Sequence, residues 1–171
     1  GSPLFFDKLK PEVKWASPSS GVVTSIHFGA RRIIEKIEIS VEDKKPESYK
    51  SFSSSELNAA DREAVMKNIL DACIFPLIRQ RPFNKVANPN DVPRDIFVSA
   101  YNTAPLSVNV SKVIQNNKDQ FQAGLTALSK LTEGSVYLTS HKPMEFDNVT
   151  NVTIEGPHPA GNVGIQIHHI K

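Results

Sequence analysis

Residues 95–139 run strand, helix, strand, and that order constrains the fold more than any other stretch of the chain. Ile96-Phe97-Val98 with Ala100 is a short, nearly continuous apolar run, the pattern of a parallel strand buried on both faces. Asn117 is placed to cap a helix in which Phe121, Leu125, Leu128 and Leu131 share one face. Gly134 closes that helix, and residues 135–139 supply the second strand. Two such strands joined by a helix predict a right-handed βαβ crossover. In such sheets ligands bind beyond the carboxyl ends of the strands. Tyr101-Asn102-Thr103-Ala104-Pro105 occupies that position after the first strand.

The last stretch, EGPHPAGNVGIQIHHIK, is the second constraint. Two prolines and two glycines fall within GPHPAG. Glycine permits backbone angles closed to other residues, while proline fixes φ and removes a donor. Together they specify one rigid loop, fed by the strand-like NVTIE and leaving into GIQIHHI, which alternates as a strand does. Such a loop serves either as a tight structural turn or as the rim of a binding site. On a parallel sheet it is expected beside Tyr101 to Pro105 on the same edge. If Gly161 holds a positive φ, a valine there distorts the loop. His158, His168 and His169 raise the question of a metal. On a strand, however, adjacent His168 and His169 face opposite ways, and Glu155 is the one nearby carboxylate, so no metal set is expected.

Residues 1–41 read as β structure. Val22, Thr24, Ile26 and Phe28 alternate with Val23, Ser25 and His27, Gly29-Ala30 turns the chain, and Ile33, Ile37, Ile39 and Val41 recur at even spacing. Short strands with this turn spacing suggest a small sandwich or barrel. The serine-rich residues 42–58 read as a connector. Asn58 followed by Asp61 has capping-box character, and Val65, Met66, Ile69, Leu70 and Cys73 then fall at helical spacing, up to the stop at Pro76. Arg79, Arg81 and Lys85 surround Pro82-Phe83, either as a solvated loop or as a contact for an anionic group or an acidic subunit face. The expected class is α/β (α+β overall). Residues 1–47 form a β module, 48–94 a helical and loop connector, and 95–171 an α/β module.

Composition excludes several functions. The chain has 171 residues with 20 basic and 18 acidic side chains, net +2, and no cationic block on one face, so nucleic acid is not an expected partner. No apolar run reaches the ~20 residues of a membrane span. The single cysteine, Cys73, excludes an internal disulfide and a Cys-ligated iron–sulfur cluster, and it reads as core.

GPHPAG–G–HIH-like residues 156–169, with SPLFFDK, the SP-SG-V run, LIRQRPFNKV, IFVSAYNTAPL and GLTALSKLTEGSVYL in the same order, resemble the A-subunit family of the sodium-translocating NADH:quinone oxidoreductase (Na+-NQR). The resemblance covers essentially the whole chain. Members of that family are much longer, which implies a piece of the N-terminal half. The N-terminal stretch is similar to a lipoyl or biotinyl carrier, a barrel-sandwich hybrid, beginning midway through its strands. Lys8 stands where a carrier lysine would, but Leu9-Lys10-Pro11-Glu12 departs from a lipoyl tip and there is no Met-Lys-Met, so a carrier-like module is the weakest alternative.

Residues 95–171 are also similar to the Rossmann-like part of the Rnf complex C subunit and of the complex I flavoprotein subunit. In those proteins the loop after the first strand carries carboxylates that help hold flavin and nucleotide. Here the loop is NTAP, and no phosphate-cradling glycine pattern occurs. Neither cofactor is therefore expected in this chain, NADH and flavins being used through other subunits of the complex. The resemblance implies a subunit on the cytoplasmic face of the bacterial inner membrane, peripheral through its partner subunits, in a respiratory complex that couples NADH oxidation and quinone reduction to sodium export. The resemblance also implies a quinone contact for that subunit. Phe83, Tyr101, Asn102, Gly156, His158 and Gly161 are the candidate quinone or partner rim. The alternative is a cofactor-free docking subunit. The family's GxHIH becomes GIQIH, with Gln166 where histidine is usual, which weakens any role carried by that histidine.

Overall fold

The computed structural model describes residues 1–171. Alternation in the first forty residues produces two antiparallel hairpins. β1 (Pro3–Asp7) pairs with β2 (Lys10–Ala16), and the turn is held by Leu9 N–H donating to Asp7 Oδ1 at 2.9 Å. Phe5 stacks on its register partner Trp15 at 5.0 Å. β3 (Gly21–Phe28) pairs with β4 (Ile34–Val41) in a separate two-stranded sheet. On that ribbon Lys36 lies against Glu38, which also receives the Ser25 hydroxyl at 2.6 Å. Lys36 first, then Ser25 and His27, pull the Glu38 carboxyl from its ordinary 4.5 to about 2.

The serine-rich stretch is not wholly a connector. Ser53 and Glu56 form a capping box that opens α1 (Ser54–Ala59), a start the Asn58/Asp61 expectation missed. Asp61 is a cap in its own right, its Oδ1 accepting Ala64 N–H at 2.8 Å ahead of α2 (Arg62–Asp71). Cys73 lies beyond the helix with φ of 57° and is buried. β5 (Arg79–Gln80) and β6 (Lys85–Val86) form a short ribbon with Phe83 at its tip. Two compact units result, Gly1–Lys50 with Asn68–Ile78, and Ser51–Lys67 with Arg79–Lys171. In the first, Val13 of β2 is fully buried and β2 packs on the turn Phe75–Leu77.

The second unit carries the predicted parallel sheet. β7 (Ile96–Ser99), β8 (Val136–Ser140) and β9 (Thr150–Thr153) lie in that order, with Ile96 opposite Val136 and Tyr137 opposite Thr150. The crossover holds two helices where one was expected, α3 (Val110–Asn116), capped by Asn109, and α4 (Lys118–Ser129). Ala100, Ile114, Leu125 and Leu138 form the core between helices and sheet.

A further expectation is overturned. GIQIHHI is not a strand but most of α5 (Val163–Ile170). The partly or fully buried positions are Val163, Gln166, Ile167 and Ile170, an i, i+3, i+4, i+7 stripe. A polar residue in that stripe, Gln166, left the Ile165/Ile167 alternation as the more visible signal. On the helix His168 and His169 are both exposed, with ring centroids 5.4 Å apart, rather than on opposite faces of a strand.

Candidate functional site

Parallel strands deliver their following loops to one edge of the sheet. β7 ends at Ser99, Ala100 is buried, and the chain emerges as Tyr101-Asn102-Thr103. Asn102 folds this loop locally, its Oδ1 accepting Ala104 N–H at 2.9 Å. β8 ends at Ser140, and the next residue, His141, stacks on the Tyr101 ring with centroids 5.1 Å apart and planes at 18°. β9 leads into GPHPAG.

Three contacts join the first and third loops. Tyr101 O–H donates to Gly156 O at 3.2 Å. Gly161 N–H donates to Thr103 Oγ1 at 2.9 Å, and the same oxygen lies 3.1 Å from His158 Nδ1. A hydroxyl both donates and accepts, so Thr103 can hold either tautomer of that imidazole. GPHPAG itself is wound by Ala160 N–H to Pro157 O and Asn162 N–H to Pro159 O, at 2.9 and 2.8 Å.

Behind the loop, buried Gln166 donates to Ala160 O at 3.3 Å and accepts the Thr139 hydroxyl at 2.7 Å. Gly161 is needed for a close approach: a Cβ there would stand 2.3 Å from Thr103 N. Its φ is not in the left-handed range, so the expectation of a positive φ is replaced by one of contact.

These loops and the start of α5 enclose an open cleft of about 610 Å³. Tyr101, Asn102 and Gly161 line it, along with Ser99, Val110 and Ile165, and Arg81 reaches it from the β5–β6 turn. The Asn162 side chain does not cap α5, which leaves the first N–H groups of the helix open toward this edge. The cleft thus offers amide and guanidinium donors, a phenol ring and aliphatic walls, with no carboxylate among its lining residues.

Of the six predicted residues, the structure brings five together. Gly156 and His158 do not line the cleft but join its loops through the hydrogen bonds above. Phe83 stands apart, 79% exposed at its hairpin tip with Lys85 Nζ 5.8 Å from its ring, and its neighbour Arg81 is the residue that lines the cleft. His141 was missed, although its position directly after a parallel strand is the same signal that singled out Tyr101.

Residues 60–171 match the family described as the NqrA second alpha/beta domain, and residues 1–42 match the NqrA N-terminal barrel-sandwich hybrid domain. The chain is 38% identical, over 99% of its own length, to the A subunit of the Na(+)-translocating NADH-quinone reductase of Saccharophagus degradans. It is 36% identical over 99% to the corresponding protein of Pasteurella multocida and 34% identical over its full length to that of Yersinia pestis. In each case it covers 39% of the relative. No helix of the chain is long and apolar enough to cross a membrane.

Proposed function

The chain belongs to the NqrA family, and on that footing we propose that it serves within one subunit of a sodium-translocating NADH:quinone reductase, held peripherally on the cytoplasmic face of the membrane by its partner subunits. In that setting the cleft at the carboxyl edge of β7–β8–β9 is a quinone-facing rim. The observation that carries this reading is the convergence of Tyr101-Asn102-Thr103 with GPHPAG around one cleft. A quinone headgroup needs an apolar slot for its ring and donors for two carbonyl oxygens. Tyr101, Val110 and Ile165 supply the slot, and the Asn102 amide, the open N–H groups of α5 and Arg81 supply donors. NADH oxidation and flavin chemistry belong to other subunits. Residues 1–47 and 95–171 then act as two modules, with 48–94 shared between their units rather than standing apart as a linker.

A second reading, a cofactor-free docking subunit, is favoured by the flank of the same edge. Leu106 is fully exposed with φ of 61°, and Val108 is 70% exposed, which suits a contact with a partner subunit.

His158→Ala separates the two. The quinone reading expects the isolated chain to lose only the small stability of its exposed Thr103 contact and the assembled complex to lose quinone reductase turnover with a raised quinone KM. The docking reading expects poor assembly with normal turnover per assembled complex. Wild-type turnover and wild-type assembly together would defeat both.

A further inference from the structure

The apex of the β3–β4 ribbon breaks a local rule. Ile33 N–H donates to Ala30 O at 3.3 Å, closing a two-residue turn whose central residues, Arg31 and Arg32, have φ of 57° and 59°. A turn with two left-handed centres is the type I′ hairpin turn, in which Asn-Gly is the relaxed choice. Two arginines there are strained, and strain of this kind is retained where something other than folding requires it. Both arginines are exposed.

Beside them Phe28, Ile33 and Ile34 are exposed by 54, 64 and 45%. Residues 28–36 hold three cations, Arg31, Arg32 and Lys36, against the single carboxylate Glu35. Lys36 is engaged with Glu38, so the arginine pair is the outward charge.

We infer that this apex is a docking point for an anionic phospholipid surface, the arginines meeting lipid phosphates and Phe28, Ile33 and Ile34 entering the headgroup layer. The shape favours lipid over an acidic protein. A stable protein interface takes about 20–30 residues from each side, far more than a hairpin apex presents. A bilayer interface is engaged by a few apolar side chains together with cations, each worth about 1 kcal/mol near an anionic surface. The inference does not depend on a quinone in the cleft, which lies in the other unit.

The test is flotation of the purified chain with vesicles of phosphatidylcholine containing 30% phosphatidylglycerol, against phosphatidylcholine alone, at low and at physiological salt. Binding to the anionic vesicles is expected, and it should weaken as salt rises. Arg31→Asn/Arg32→Gly relaxes the turn, so it should melt a few degrees higher while losing roughly thirty-fold in vesicle affinity, which is two cations at the magnitude above. Ile33→Ser should weaken binding without altering its salt dependence. Equal binding to neutral and anionic vesicles, or undiminished binding by the relaxed-turn variant, would overturn the proposal. So would cross-linking of the apex to an acidic protein partner with no vesicle binding at all.

Discussion

Gly161 and Gly164 stand three residues apart and should respond to alanine with opposite signs. At Gly161 a Cβ would lie 2.3 Å from Thr103 N, 2.8 Å from Thr103 Oγ1 and 2.9 Å from Asn102 C. An ordinary contact is about 3.5 Å, so the loop must retreat by about 1.2 Å from backbone that is fixed to the end of β7. That movement breaks the Gly161 N–H bond to Thr103, worth about 0.5–1.5 kcal/mol, and adds the overpacking cost of about 1–3 kcal/mol. Gly161→Ala should therefore destabilise the α/β unit by about 1.5–4.5 kcal/mol. At Gly164 nothing lies within 4 Å of the same atom, and the position is helical. Gly164→Ala should stabilise by about 0.5–1 kcal/mol through backbone entropy. Urea unfolding followed by far-ultraviolet circular dichroism, with hydrogen exchange of β8 amides to localise the effect, reads both. Gly161→Ala within about 0.5 kcal/mol of wild type would refute the close-approach reasoning, as would equal losses at the two positions.

Gln166→Leu keeps the volume but strands Ala160 O and the Thr139 hydroxyl, which can fall back only on Val98 O at 3.3 Å. It should cost about 1–2 kcal/mol in thermal unfolding, and an unchanged midpoint would count against the buried pair. Glu38 titrates lower in the folded ribbon than in the unfolded chain, so its contribution is complete above pH 4.5 and is lost as pH falls toward about 2. Acid unfolding of wild type and Glu38→Gln should thus diverge above that window and converge below it, and parallel curves throughout would contradict the assignment.

The parallel sheet was legible because β7 and β8 are short apolar runs, β8 mostly buried, and the helix between them keeps an apolar stripe. Tyr101 and Asn102 were legible for the same reason, since the edge rule needs only strand direction. α5 was not, because its inward stripe includes Gln166, whose burial depends on Thr139 and Ala160, residues distant in sequence or in another turn of the chain. α1 was obscured by its serines, although Ser53 and Glu56 stood at capping-box spacing. Phe83 was chosen over Arg81 because the sequence marks a loop around Pro82-Phe83 but not the hairpin it forms or the direction in which each of its residues faces. Gly161 was identified for the wrong cause, since a close approach to Thr103 leaves no trace in local composition.

The lone thiol has an experimental consequence. Cys73 is 6% exposed and belongs to the first of the two units. An alkylating reagent can reach it only when that unit opens, so the labelling rate is the rate for a free thiol multiplied by the open fraction. Each tenfold slowing then corresponds to about 1.4 kcal/mol of opening free energy, measured without adding a probe or perturbing the α/β unit. The same clock, run with and without vesicles, would register membrane docking at the apex of the ribbon as a change in how often its own unit breathes.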